Sequence, residues 1–222
     1  MLQQYLTPLS RNVLIASFVI YLAQLIPGGH VLRYLAWHPF GGGFAPWQPL
    51  TSFLLSGPDP STALFGWISI LFFLATVQGV LGNRRLGFAM LACWAPAVAS
   101  TLVLSAAGLL PFSTYLGFEP LIVALVCLFG FYMSSAQIRL WFVLPVPALA
   151  FAYGSGVYAL LWLVFAPGER TWMAVAAWLG AFAFQFIDQG GFRRMKVKQQ
   201  RARVERRFAV HEGGKGKTTW DN

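Results

Sequence analysis

Long apolar stretches separated by short polar turns run through most of the chain. Six of them approach or exceed the roughly 20 residues that a membrane-spanning helix needs. They cover residues 12–26, 62–81, 86–110, 120–134, 140–165 and 172–187. The pattern predicts a six-helix transmembrane bundle of the all-α class.

The connection between the first two stretches has a different character from the other turns. It is about 34 residues long, and its second half is rich in Trp, Phe and Leu but interrupted by Pro and Gly. Such a segment is too broken to span a bilayer and too apolar to float in water. We expect it to be a partly embedded loop that packs against the spanning helices.

Composition and charge placement support a membrane protein. Only 10% of the residues are charged and 57% are apolar, whereas a soluble domain carries roughly a quarter charged residues. With both termini in the cytoplasm, 14 of the 16 Lys and Arg residues fall on the inner side and two, Arg33 and Arg170, fall outside. This positive-inside bias predicts an even number of crossings, in an integral multi-pass protein. We expect a bacterial inner membrane as its location.

The charge concentrates at the C-terminus. Ten basic residues and three acidic ones lie at or after Arg193, so we divide the chain into a membrane domain (1–191) and a basic cytoplasmic tail (192–222). Basic clusters just inside a membrane bind anionic lipid, with about 1 kcal/mol for each residue near the surface. The predicted lipid-contacting residues are Arg193, Arg194, Lys196, Lys198, Arg201 and Arg203. Few aromatic residues interleave with these charges, so we expect no nucleic-acid binding.

Four short motifs follow one another along the chain. Trp47 to Phe53 reads WQPLTSF, Asn83 to Leu86 reads NRRL, Ile138 to Pro147 reads IRLWFVLPVP, and Ala177 to Gly180 reads AWLG. Together they resemble the rhomboid superfamily of intramembrane proteases, from its first-loop Trp motif to its sixth helix. The resemblance implies a six-helix rhomboid-like bundle with a lateral opening between the second and fifth helices.

The positions that carry catalysis in active rhomboids are changed in this chain. The resemblance places Glu119 at the nucleophilic serine and Trp178 at the activating histidine, with Thr62 and Gly66 at the oxyanion positions of the second helix. A serine hydroxyl is a weak nucleophile until a base takes its proton, and the intermediate needs hydrogen-bond donors. The chain therefore resembles an inactive rhomboid, or pseudoprotease, such as the derlins.

The histidines lead to the same conclusion without any alignment. His30 and His38 lie in the first loop and His211 in the tail, so no Ser–His dyad can form at membrane depth. We expect no enzymatic activity. The resemblance implies a protein that binds transmembrane segments or membrane-protein clients in quality control, escort or retention. The client-binding candidates are Trp47, Gln48, Phe53, Trp67, Glu119, Tyr153, Ser155 and Trp178.

Two of these candidates have ordinary structural interpretations. Glu119-Pro120 suits a helix start, because proline fits the first turn and an acid complements the positive end of the helix dipole. The run from Tyr153 to Gly156 (YGSG) imitates a nucleophile motif, but small residues in lipid usually serve close helix packing. Cys93 and Cys127 lie in apolar runs, where we expect buried thiols and neither a metal site nor a cofactor.

Two other classes of function stay open. The first is an active intramembrane protease with a divergent site, such as Ser155 with a carboxylate. The second is a small-solute transporter or channel, although the chain shows neither an internal repeat nor the intramembrane charges that are typical of transporters.

Overall fold

The fold is mostly helical. A computed structural model of the chain describes residues 8–26, 34–38, 45–55, 60–109, 117–140 and 144–190. Within them, three helices are long and apolar enough to cross a membrane, Pro60–Ala106, Ala148–Phe165 and Arg170–Asp188. The elements are α1 (Pro8–Gln24), α2 (Gln48–Thr51), a 3-10 turn (Ser52–Leu54), α3 (Pro60–Ala106), α4 (Glu119–Tyr132), β1 (Gln137–Leu140), β2 (Leu144–Pro147), α5 (Ala148–Phe165) and α6 (Glu169–Asp188).

Helix α3 reverses direction at Gly82. Its backbone there has φ 71° and ψ 166°, a conformation that is nearly restricted to glycine. Gly66 touches Phe118 at the start of α4, and Trp94 lines a cleft with Pro120, also at the start of α4. In a straight helix Gly66 and Trp94 would be about 42 Å apart, yet both lie near the start of α4. The polar turn expected between the stretches 62–81 and 86–110 is thus found at Gly82, and it divides α3 into a first arm (60–81) and a second arm (83–106).

A β-hairpin replaces the predicted start of the fifth helix. Strands β1 and β2 pair antiparallel, from Gln137 opposite Pro147 to Leu140 opposite Leu144. The prediction of a helix over 140–165 and of an all-α fold is therefore wrong for residues 140 and 144–147. The reason lies in Pro145 and Pro147, which lack the N–H that an interior helical position donates. Helix α5 begins only at Ala148.

Helix α4 lies at the centre of the packing, and small residues set its distance to α5. Among the helices that the structure describes, it is the most buried. A Cβ atom added at Gly130 would lie 2.6 Å from the Ala148 carbonyl oxygen and 2.6 Å from the Ala152 amide nitrogen. On its other side, Phe129 makes an edge-to-face contact with Phe73 of the first arm, with ring centroids 5.3 Å apart. Close backbone approach of this kind is how helices associate in lipid.

The outer surface of the helices is apolar. Phe65 in the first arm is 70% exposed, Val103 in the second arm 66% and Val164 in α5 75%. Large exposed apolar areas are rare on soluble monomers and mark surfaces that face lipid or a partner. This exposure agrees with the three long apolar helices and indicates a membrane protein.

The first loop packs onto the second arm of α3. Trp37 is 1% exposed and donates its indole N–H to the Thr101 hydroxyl at 3.3 Å. Trp94 donates its indole N–H to the Pro49 carbonyl at 3.0 Å, and Thr51 donates its hydroxyl to the Leu35 carbonyl at 2.8 Å. The prediction that this loop packs against long apolar helices is confirmed for the described residues 34–38 and 45–55.

The chain divides into two compact units, residues 1–185 and 186–222. Of the second unit the structure describes residues 186–190, which complete α6 and the turn after it. The six predicted lipid-contacting residues of the tail, as well as His30 and His211, lie outside the described residues. The domain boundary at residue 191 and the lipid contact stay predictions.

Candidate functional site

A surface groove runs between α4 and α5. Its volume is about 490 Å³, within the range of ligand sites. Each helix presents one stripe to it, because residues three and four positions apart share a helix face. The lining consists of Glu119, Ile122, Val123 and Val126 from α4, Val146 from β2, and Ala150, Phe151, Gly154, Ser155 and Tyr158 from α5. We call this the α4–α5 groove; none of its described lining residues comes from α3.

The groove is polar at one end and apolar along the rest. The helices run antiparallel, so Glu119 at the start of α4 lies at the same end as Tyr158 of α5. Val126 and Val146 line the opposite end. At 1.5 Å per residue, the stripe on α4 is about 11 Å long, or two helical turns. The groove therefore has a direction, with a single carboxylate at one end.

Glu119 occupies a helix start, as its ordinary interpretation predicts. It is the first residue of α4 and the acid of the first turn, and Pro120 follows it. Its side chain is exposed. An acid at this position complements the partial positive charge of the helix N-terminus. The position fits the helix-start interpretation and also leaves the carboxylate accessible from the groove.

Ser155 lines the groove, but its hydroxyl is used within its own helix. It donates to the Ala152 carbonyl at 2.9 Å. The neighbouring Gly154 has open space where a side chain would point, with no atom within 4 Å, whereas a Cβ at Gly156 would collide with the ring of Trp178. The interpretation of this run as close packing is confirmed for Gly156 and wrong for Gly154, which instead widens the groove.

Trp178 holds α6 against α5. Its indole N–H donates to the same Ala152 carbonyl at 2.9 Å, and its ring stacks on Phe182 with centroids 5.7 Å apart. An indole N–H only donates, so it cannot take a proton from Ser155. At the position that the resemblance assigns to the catalytic histidine, this chain has a packing residue.

The first-loop candidates lie at a second cavity, of about 670 Å³. Trp47 and Phe53 line it together with Leu121 of α4 and Ala177 of α6. Gln48, which lies between Trp47 and Phe53 in the sequence, is fully buried. Trp47 is 53% exposed, and its indole N–H donates to the Tyr34 carbonyl at 3.1 Å. We call this the loop cleft. The structure thus separates these three candidates from the α4–α5 groove.

The remaining candidates lie apart from both cavities. Trp67 of the first arm makes edge-to-face contacts with Phe18 and Tyr21 of α1, with centroids 5.3 and 5.1 Å away. Its buried indole N–H has no hydrogen-bond partner among the described residues. Thr62 is exposed near the start of the same arm. Tyr153 of α5 packs edge to face on Phe131 of α4, at 5.6 Å.

Gly66, assigned by the resemblance to an oxyanion position, serves packing. Phe118 covers it so closely that any side chain would collide with the phenyl ring. Among the described residues, no three His, Cys, Asp or Glu side chains form a cluster that would hold a metal ion. Cys93 and Cys127 are buried free thiols.

Tyr158 and the aliphatic lining of the groove were not among the residues predicted from the sequence. Tyr158 lies three residues after Ser155 and seven after Phe151, which are the spacings of one helix face. From this spacing, the α5 side of the groove could have been predicted. The pairing of that face with α4 depends on how closely the helices approach at Gly130, which a sequence pattern does not reveal.

No model of a known protein family matches the chain. No curated protein matches it either.

Proposed function

We propose that the protein is a non-catalytic, rhomboid-like membrane protein that binds transmembrane segments of client proteins in the α4–α5 groove. In this proposal the chain crosses the inner membrane of a bacterium six times, with both termini in the cytoplasm. The clients are membrane proteins that are retained, escorted or delivered for degradation. The basic tail holds anionic lipid at the cytoplasmic surface.

The turn at Gly82 supports six crossings. Each arm of α3 exceeds 20 residues, which is enough for one passage. Helices α5 and α6 supply two more passages, and α1 and α4 supply short ones of 17 and 14 residues. Helix α4 is about 21 Å long, well below the roughly 30 Å of a bilayer core. A short central helix would thin the bilayer beside the groove and ease the entry of a client.

The observation that carries the proposal is the open, apolar α4–α5 groove. Its length of about 11 Å matches two turns of a helix, and Gly154 allows a client backbone to approach closely. A third helix packed into the groove would cover both lining stripes at once. Binding through van der Waals contact and small residues is the ordinary mode of helix association in lipid.

Site-directed photocrosslinking tests the proposal. A photoreactive phenylalanine at position 151 reports on the groove, and the same residue at Leu160, which is exposed but does not line the groove, serves as control. The probe is a 20-residue Leu/Ala transmembrane peptide, reconstituted with the protein in liposomes. We expect crosslinks at position 151 several-fold above those at position 160.

A pair of glycine variants makes the same test sharper. Gly154 and Gly79 both lie in helices with open space at the missing side chain, but only Gly154 lines the groove. Gly154→Leu should fill the groove and abolish the crosslink at position 151, and Gly79→Leu should leave it intact. Equal crosslinking in both variants would contradict binding in this groove.

The shared groove of Ser155 and Glu119 favours the protease as a second candidate. A carboxylate near a serine is the minimum that a divergent site needs. Fluorophosphonate labelling in lipid decides between the two functions. Labelling of the wild type that disappears in Ser155→Ala would establish a protease, and unlabelled protein that still crosslinks the peptide supports the non-catalytic function.

A further inference from the structure

The α4–α5 groove carries one charge in an otherwise apolar surface. Glu119 is exposed at one end, and no described Lys or Arg side chain forms an ion pair with it. Near that end, two other groove side chains carry polar atoms, Ser155 and Tyr158. Ser155 already donates its hydroxyl to a carbonyl of its own helix. The carboxylate is thus the only charged group that the described lining offers to an occupant.

From this charge we propose that the groove selects transmembrane segments that carry a lysine or arginine at the membrane boundary, placed so that the cation meets Glu119 while the next two turns fill the apolar part. This inference rests on the proposed function and specifies its class of client. Charge complementarity at a partly desolvated site favours the matching partner and penalises a like charge. An ionisable residue of a client at this depth is also costly without a partner.

The dimensions of the groove set the position of the cation. The lining residues from Glu119 to Val126 cover about 11 Å, so a client helix contacts the apolar part with about seven residues. The segment that fits best therefore has small or aliphatic residues over those two turns and one basic residue directly beyond them. A basic residue in the middle of the segment would face Ile122, Val123 and Val126 and would be rejected.

Three peptides test the selection. Each has 20 Leu and Ala residues and one residue at the boundary, Lys, Gln or Glu, and each is reconstituted in neutral phosphatidylcholine vesicles with protein that carries the photoreactive residue at position 151. We expect the wild type to crosslink the Lys peptide about tenfold more than the Gln peptide and the Glu peptide least. Glu119→Gln should equalise the Lys and Gln peptides. Glu119→Lys should reverse the order and favour the Glu peptide.

The outcomes distinguish the charge selection from client binding in the groove. Asp188→Asn removes an acid that does not line the groove and should keep the wild-type preference. Equal crosslinking of the Lys and Gln peptides to the wild type, or a preference that survives in Glu119→Gln, would overturn the charge selection while leaving client binding in place. Absence of groove crosslinks with all three peptides would overturn client binding itself.

Discussion

Replacing Gly156 by alanine should destabilise the protein, although alanine is the better helix former. A Cβ atom at this position would lie 2.5 Å from Cε2 and 2.6 Å from Cζ2 of Trp178. Carbon atoms in contact are about 3.5–4.0 Å apart, so the indole would have to move by about 1 Å. That ring is held by the hydrogen bond to the Ala152 carbonyl and by its stacking on Phe182.

The size of the effect follows from three contributions. Overpacking at a close contact costs about 1–3 kcal/mol. Lengthening the indole hydrogen bond costs about 1 kcal/mol. The higher helix propensity of alanine returns about 1 kcal/mol. The free energy of unfolding of Gly156→Ala should therefore fall by about 1–3 kcal/mol. Gly154→Ala, which has open space, should match the wild type or exceed it by up to about 1 kcal/mol.

Reversible unfolding in mixed micelles, followed by circular dichroism as the fraction of sodium dodecyl sulfate rises, measures both variants. A double-mutant cycle isolates the cause, because Gly156→Ala in a Trp178→Leu background should lose most of its cost. If Gly156→Ala were as stable as Gly154→Ala, or if its cost persisted without the indole, the argument from the Gly156–Trp178 contact would be refuted.

Three further predictions concern the turn, the loop and the thiols. Gly82→Ala forces a side chain into a glycine conformation and should lower the free energy of unfolding by about 1–3 kcal/mol in the same assay, whereas Gly79→Ala should not. Trp37→Phe removes the buried hydrogen bond to Thr101, so it should lower the free energy of unfolding by about 1 kcal/mol and speed proteolysis of the first loop. Trp47→Phe changes an exposed indole and should be nearly neutral. Equal proteolysis of the two variants would contradict this prediction. Both cysteines are buried, so a maleimide should label them only after unfolding, and rapid labelling of the folded protein would count against the core described here.

The helices could be predicted from hydropathy, and one turn from its chemistry. The Gly82 turn was recognisable because glycine there is followed by Asn83 and two arginines, a polar break between apolar runs. The β-hairpin was not recognised because the apolar run after Arg139 is continuous, and a short apolar run fits a strand or a buried helix equally well. The signal against a helix was present in the Pro-Val-Pro sequence that ends the run.

The site shows a different limit of sequence reasoning. Glu119 and Ser155 were singled out separately, one as a helix start and one as part of a glycine-rich run. They share a groove because α4 and α5 approach closely and run in opposite directions, which is a property of tertiary packing. Trp178 was assigned through a resemblance, and only its contacts with Ala152 and Gly156 show what the indole does.

The direction of the amides in β2 has a consequence for crowding in the bilayer. The Ala148 N–H donates to the Ala136 carbonyl at 2.9 Å, across the hairpin. Amides alternate sides along a strand, so those of residues 144 and 146 also point toward β1, and Pro145 and Pro147 fall on the outer side. That outer side has no N–H at either proline, and an approaching strand would find acceptors without donors. The β2 edge of the hairpin is therefore closed to a third strand, which protects neighbouring copies from aggregation through this edge at high density in the membrane.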